Sequence, residues 1–214
     1  MGRLSFAIAL NLITDGFRKG ANEVKDAFSS MQAKILTFSA GFDLIRSALA
    51  GFSAQVLDIV RDTNRASTAL KNASGSAAEF AGNQRFLIDL SKKYGANVND
   101  MSTAYAKFTA AAKLAGMPLS IQKSLFESVS RATAAFALSS EDTNSVFLAL
   151  SQMMGKGKVQ AQELRLQMGE KLPVALQAMA KAAGVSVGEL DNMMQKGELL
   201  SGKVLPKFGK ALDE

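Results

Sequence analysis

The chain has 214 residues, of which 25 are lysine or arginine and 19 are acidic, and its net charge is +6. It contains no cysteine and no histidine, which excludes a disulfide framework, thiolate metal sites and histidine-based catalytic triads. The basic residues are not gathered in one tract, so we expect no specific nucleic-acid binding. Only 3 prolines occur, and alanine is abundant. This composition favours an all-α fold, because alanine is the best helix former and proline the worst.

Residues 4–12 carry large apolar side chains at every second position. A period of two is typical of a β-strand. No hairpin partner follows, and a lone strand would leave its backbone groups unpaired. The segment is therefore either one short strand, paired with another copy or with a part of the protein outside this sequence, or simply helical. Residues 1–11 contain one basic residue and lack the continuous apolar h-region of a signal peptide, so they do not resemble one.

The next segment shows the strongest periodicity in the chain. Apolar residues recur at alternating spacings of three and four over about seven heptads, which predicts a long helix with a stripe facing a partner helix. On pattern alone, the stripe could also be a buried face of an internal bundle. Roughly fifty residues of helix extend about 75 Å, a length that favours a partner. We predict a self-association seam formed by Val24, Phe28, Met31, Ile35, Phe38, Phe42, Ile45, Leu49, Phe52, Val56 and Ile59.

The most apolar long window, residues 35–60, contains three charged residues, Asp43, Arg46 and Asp58. A spanning helix needs about 20 mostly apolar residues, so we expect no stable membrane span, and a membrane-active phage protein is a minor alternative. The turn residues at 71–75 then close the heptad segment. We predict a strand and coiled-coil-like segment over 1–75 and a compact multi-helix domain over 76–214.

Capping residues and glycines divide the second part into short helices. The glycines at 155 and 157 are expected to end the fourth of these, leaving a flexible connector with a solvated Lys156 and Lys158. The frequent methionines are expected to pack the core, and a groove for a partner helix is the alternative. The predicted helices cover 77–94, 99–115, 120–138, 141–154, 160–168, a stretch from Pro173 to residue 183, 187–195 and 205–212.

No combination of residues predicts catalysis, metal binding or cofactor binding. Glu163 and Glu170 are interpreted as solvated helix carboxylates rather than an acid–base pair. The segment from Met179 to Gln195 has the spacing of a helix-turn-helix, which makes a DNA-binding protein the main alternative. Its second helix carries two carboxylates and no arginine, a poor surface for phosphates.

The region from Arg131 to Leu212 resembles the N-terminal domain of phage tape measure proteins. Three blocks occur in the same order over about eighty residues: LALSQM followed by GK, then ELR with QMGEKLP, and finally KGEL with LPKF. The segment before it, including RFL, KKYG, FTA and FESVSR, also looks like this family. The positions that carry the resemblance are Gly157, Lys158, Glu163, Leu164, Arg165, Gln167, Gly169, Glu170, Leu172, Pro173, Gly197, Leu205, Pro206 and Phe208.

The resemblance implies a structural, non-enzymatic role in a phage or prophage tail, inside the tube of the virion and in the host cytoplasm during assembly. It implies several parallel copies of a chain that helps to determine tail length, with tail-tube, baseplate and tail assembly chaperone proteins as partners. Family members are usually much longer than 214 residues. We therefore expect these residues to form an end or anchoring domain rather than the ruler itself.

Overall fold

The computed structural model describes residues 58, 59 and 61–214. The chain divides into two compact units, Met1–Thr63 and Asn64–Glu214. The predicted strand at 4–12 and the predicted seam, except Ile59, lie outside the described residues, so both stay predictions. The side chain of Ile59 is 44% exposed. The following description concerns the second unit.

The second unit is helical throughout its regular structure, which confirms the predicted all-α class for the part of the chain that the structure describes. The only extended pairing in that part is an isolated antiparallel bridge between Lys158 and Leu200. Residues 64–73 form a helical segment. The elements that follow are α1 (Ala77–Tyr94), α2 (Val98–Leu114), α3 (Leu119–Ala135), α4 (Ser140–Lys156), a π-helix (Gln162–Gly169), α5 (Ala175–Ala183), α6 (Val187–Lys196) and α7 (Ser201–Leu212).

Side-chain caps start four of these helices. Ser76 accepts a hydrogen bond from the third amide of α1, and Ser139 and Ser186 do the same for α4 and α6. Asn97 accepts from the second and third amides of α2, those of Asn99 and Asp100. Each cap satisfies a backbone N–H group that has no partner within its helix. The capping residues in the sequence therefore fix the helix starts to within a residue of the predictions.

Three predicted helix ends are wrong. Helix α3 ends at Ala135 instead of residue 138, and the turn that follows contains Ala137 with a φ of 50°. Helix α4 continues through Gly155 to Lys156, and it ends only at Gly157, whose φ of 71° lies in the left-handed region. Gly155 has no such requirement, and an isolated glycine is tolerated inside a helix. Helix α7 begins at Ser201 instead of residue 205 and contains Pro206. Burial of Ser201 and Val204 against neighbouring helices outweighs the preference of proline for a first turn.

The centre of the unit is an aromatic cluster to which each of the first four helices contributes. The rings of Phe126 and Phe147 stack with centroids 4.2 Å apart, and Tyr105 meets Phe126 edge-on at 4.9 Å. Phe86 and Phe108 complete the cluster. Aromatic pairs in these geometries are worth about 0.5–1.5 kcal/mol beyond the area that they bury. The cluster holds α1 to α4 together, while the methionines Met153, Met154, Met168, Met179 and Met194 are also buried, as predicted.

The helical segment 64–73 is part of this unit and not a separate arm. Ala66 and Leu70, which continue the heptad pattern, are 2% and 1% exposed. Lys113 fastens the end of the segment, since its Nζ donates to the carbonyl of Ala73 at 2.7 Å and lies 2.6 Å from the carboxylate of Glu79. The last turns of the heptad pattern therefore pack into the core of the chain itself. The boundary predicted between residues 75 and 76 stays a prediction.

Candidate functional site

The three sequence blocks singled out above converge around the π-helix and the turns on either side of it. The first and third blocks meet through the backbone. The amide of Val159 donates to the carbonyl of Leu199 at 2.8 Å, and the amide of Ser201 donates to the carbonyl of Gly157 at 3.1 Å. This bridge joins the end of α4 to the start of α7. The predicted flexible connector after α4 is therefore a fixed turn.

Two glycines of the blocks are required by the backbone. Gly157 ends α4 and Gly197 ends α6, with φ angles of 71° and 70°. Glycine adopts this left-handed conformation without the steric cost that a Cβ atom imposes. Gly197 also lies against the side chain of Lys158, which would be 3.7 Å from an added Cβ atom. These two turns bring Lys158 and Leu200 side by side.

The carboxylate of Glu163 is buried rather than solvated, which corrects the interpretation from sequence. Glu163 is 1% exposed, and the Nζ atom of Lys156 lies 2.5 Å from the Oε1 atom of Glu163. The same ammonium group donates to Gln160 Oε1 at 3.2 Å. The side chain of Lys156 is 43% exposed, so the pair joins a buried anion to a cation that still contacts water. Burial of a carboxylate is costly unless it is paired, and Lys156 supplies the partner.

A second ion pair ties the π-helix to α6. Arg165 binds Asp191 through two parallel contacts, with Nε 2.8 Å from Oδ1 and Nη2 2.5 Å from Oδ2. Such a fork is among the strongest side-chain pairings, because the planar guanidinium matches both carboxylate oxygens. Asp191 could not be predicted as the partner of Arg165 from the sequence, because it lies 26 positions further along the chain and leaves no local signal. Arg165 is thereby assigned a structural role.

The π-helix itself depends on Gly169. A Cβ atom added there would lie 2.9 Å from the carbonyl oxygen of Leu164, closer than real contacts allow. The wider turn of a π-helix brings the backbone of residue 164 against this position. The apolar side of the π-helix is fully buried through Leu164, Met168 and the following Leu172. This eight-residue π-helix lets the short segment fill the space between α4 and α5.

The remaining block positions are divided between core and surface. Leu205 and Phe208 are 0% exposed on the inner side of α7. Gln167 and Pro206 are half-buried, whereas Lys158, Glu170 and Pro173 are exposed. Most of these positions therefore help to hold the helices together, whereas Lys158, Glu170 and Pro173 face water.

Other ion pairs of the second unit also join separate segments of the chain. Lys171 contacts Asp142 at 3.0 Å and lowers the pKa of that carboxyl, with help from the Ser139 hydroxyl. The same contact raises the pKa of Lys171. In the described range, no group of three acidic side chains is placed to hold a metal ion. Several of the other ion pairs join segments that are distant in the chain, such as Lys93 with Glu127 and Arg131 with Asp213.

The fold and these contacts define a class of protein, an all-α scaffold in which residues of the three sequence blocks form the turns and contacts between helices. The sequence profile of the family described as "Tape measure protein" matches residues 54–214. The chain therefore belongs to the tape measure protein family, a family of structural proteins of bacteriophage tails. Residues of all three blocks lie within the matched region.

A curated relative agrees with this assignment. The chain is 32% identical over 151 residues to a protein named "Probable tape measure protein" from Salmonella phage Felix O1 (isolate Felix O1-VT1). The aligned region covers 70% of this chain and 19% of the relative, so the chain spans about a fifth of the relative's length. No solved structure matches the chain significantly.

The two alternatives from the sequence are not favoured. Helices α5 and α6 are indeed joined by a tight turn at Gly184, with φ of 73°. However, the exposed side of α6 carries Glu189, and Asp191 is engaged by Arg165, so this helix is a poor surface for DNA phosphates. In the described part of the chain, no helix is both long and apolar enough to span a bilayer.

Proposed function

We propose that this chain is the N-terminal part of a tape measure protein that helps to determine tail length and to organise assembly of the tail tube. The observation that carries the proposal is the match to this family over residues 54–214. We further propose that it acts inside the tail tube of the virion, after assembly in the host cytoplasm. It would contribute no catalytic or cofactor chemistry there.

Within that protein, residues 64–214 are proposed to be an end or anchoring domain. A ruler needs an extended helix, in which each residue adds about 1.5 Å to the length. The second unit instead folds its helices back on one another around a buried aromatic cluster. Residues inserted into such a unit would not each add about 1.5 Å to its length. The segments that measure length would then lie elsewhere in the full protein.

Self-association is proposed to come from the heptad seam. The tail-tube, baseplate and tail assembly chaperone proteins are proposed as the other partners. Light scattering on the full chain tests the seam: Phe38→Asp with Ile45→Asp should reduce an oligomer to monomer. The matched control places the same charges off the stripe, as Ala40→Asp with Ser47→Asp, and should leave the mass unchanged. An unaltered mass in the seam variant would refute the seam.

The tail role itself is tested in the phage that carries this gene. Removing residues 64–214 from the full gene should abolish tails of defined length in electron micrographs, because the anchoring domain is lost. A gene carrying only Gly155→Ala serves as the control, since an added Cβ atom there meets no other atom within 4 Å. Tails of unchanged number and length distribution after the deletion would overturn the proposal.

A further inference from the structure

The exposed side of helix α7 carries a row of three lysines that the family role does not explain. Lys203, Lys207 and Lys210 are all exposed, whereas the opposite side of the helix is buried against α3 and α5. On a helix, spacings of four and three residues place side chains along one line. The row is about 10 Å long at 1.5 Å per residue. We call these three residues the basic face.

None of these three ammonium groups lies within 4 Å of a carboxylate in the described part of the chain, although many other cations there are paired. The acids at the end of α7 are already engaged. Asp213 pairs with Arg131, and Glu214 pairs with Lys181. The basic face is therefore not neutralised by its own domain.

Helix stability does not account for the row. Lys203 lies in the first turn of α7, where the helix dipole is positive and where no acidic residue is present. Lys203 and Lys207 are like charges one turn apart, an arrangement that destabilises a helix. Only Lys210, in the last turn, is favourably placed with respect to the dipole. The lysine row therefore lowers the stability of helix α7 in the isolated domain.

The surroundings of the basic face indicate what it binds. Leu200, directly before α7, is 44% exposed, and the spacing from it to the lysines is three, four and three. This is the spacing with which one helix meets another along a stripe. An apolar contact bordered by charges is also typical of a protein interface. The basic face contains no arginine, the residue best suited to bind phosphate groups through two contacts.

We propose that the basic face is a docking surface for an acidic amphipathic helix of another protein. Such a helix would set carboxylates opposite the lysine row and an apolar side chain against Leu200. The same face of a second copy is a poor occupant, because two lysine rows would repel each other. The proposal stands on the placement of charge and does not depend on the tail role.

The test uses the full chain and a labelled helical peptide of three heptads, with glutamate at the positions facing the lysines and one leucine facing residue 200. Fluorescence anisotropy measures its binding at low salt and at 0.15 M salt. Lys203→Glu, Lys207→Glu and Lys210→Glu together should weaken binding at least about tenfold, since three exposed ion pairs are replaced by repulsion.

The matched control replaces three other exposed lysines, Lys71, Lys92 and Lys107, by glutamate, which changes the net charge by the same amount. This control should change the affinity by less than about threefold. The three lysines are far from one another in the sequence, so each would interact with the peptide only through weak long-range electrostatics. Equal losses in the two triple variants would show that only net charge matters and would overturn the proposal.

Two further outcomes also decide against it. Absence of peptide binding at low salt with the unaltered chain would exclude the docking surface. Tighter binding of a 20-base-pair DNA duplex than of the peptide, lost in the same basic-face variant, would make the surface one for nucleic acid. A peptide with the same composition in scrambled order should bind more weakly, because its carboxylates no longer lie along one line.

Discussion

Replacing Lys156 by methionine should destabilise the domain far more than replacing its partner Glu163 by glutamine. The two residues make the same ion pair, with 2.5 Å between Nζ and Oε1, but their surroundings differ. Glu163 is 1% exposed, whereas the side chain of Lys156 is 43% exposed. Removing the lysine leaves a buried carboxylate without a partner. Removing the carboxylate leaves an ammonium group that water can solvate.

The magnitudes follow from this asymmetry. Loss of one partner from a fully buried pair costs about 3–5 kcal/mol. Because water reaches the lysine end, we expect about 2–3 kcal/mol for Lys156→Met. For Glu163→Gln we expect about 0–1 kcal/mol. In a domain of this size, the methionine variant should melt about 4–12 °C lower than the unaltered chain. Adding Glu163→Gln to it should recover part of the loss.

Thermal unfolding followed by circular dichroism measures these differences, and urea unfolding supplies the free energies. Lys158→Met is the matched control, because this exposed lysine has no carboxylate partner within 4 Å among the described residues, and it should change stability by less than about 0.5 kcal/mol. If the glutamine variant were as unstable as the methionine variant, or if the control lost as much, the assignment of Lys156 as the partner of a buried anion would be refuted.

Three further predictions concern other parts of the fold. Leu70→Ala should lower the free energy of unfolding by about 2–4 kcal/mol in urea, because Leu70 is 1% exposed; a change below about 1 kcal/mol would contradict its place in the core. Gly169→Ala should lower the melting temperature, because its Cβ atom would lie 2.9 Å from a backbone oxygen, whereas Gly155→Ala should raise it slightly; the opposite order would contradict the π-helix geometry. Burial opposes ionisation of Glu79, but the Lys113 ammonium and the Gly75 amide hold its pKa below the usual 4.5. Stability should therefore decline as the pH falls below 4.5, and urea unfolding of Glu79→Gln should show a shallower decline than the unaltered chain.

The helix boundaries could be predicted because their causes are local. Ser76, Asn97 and Ser139 cap helices through amides no more than three residues away. A glycine in the left-handed region, such as Gly95 with φ of 68°, ends a helix by its own conformation. The capping residues and terminal glycines act within a few neighbouring residues, so they can be recognised in the sequence alone.

The contacts of the candidate site could not be predicted, because they depend on packing between distant segments. The fork between Arg165 and Asp191 crosses 26 residues. Glu163 looks like a surface residue in sequence, since only the fold shows that neighbouring helices cover it. Gly155 and Gly157 are equivalent in sequence, yet only the second adopts a positive φ. The resemblance to tape measure proteins marked this region correctly, but it did not show that most of the marked residues are structural.

The most direct test of the account is quantitative mass spectrometry of purified phage particles from a host that expresses this gene. The ratio of peptides from residues 64–214 to those of the tail-tube protein gives the copy number in the tail. The account predicts that these peptides copurify with intact tails at a small, constant number of copies per particle. Their absence from tails, with abundant peptides left in the host lysate, would contradict a structural role for this chain in the tail.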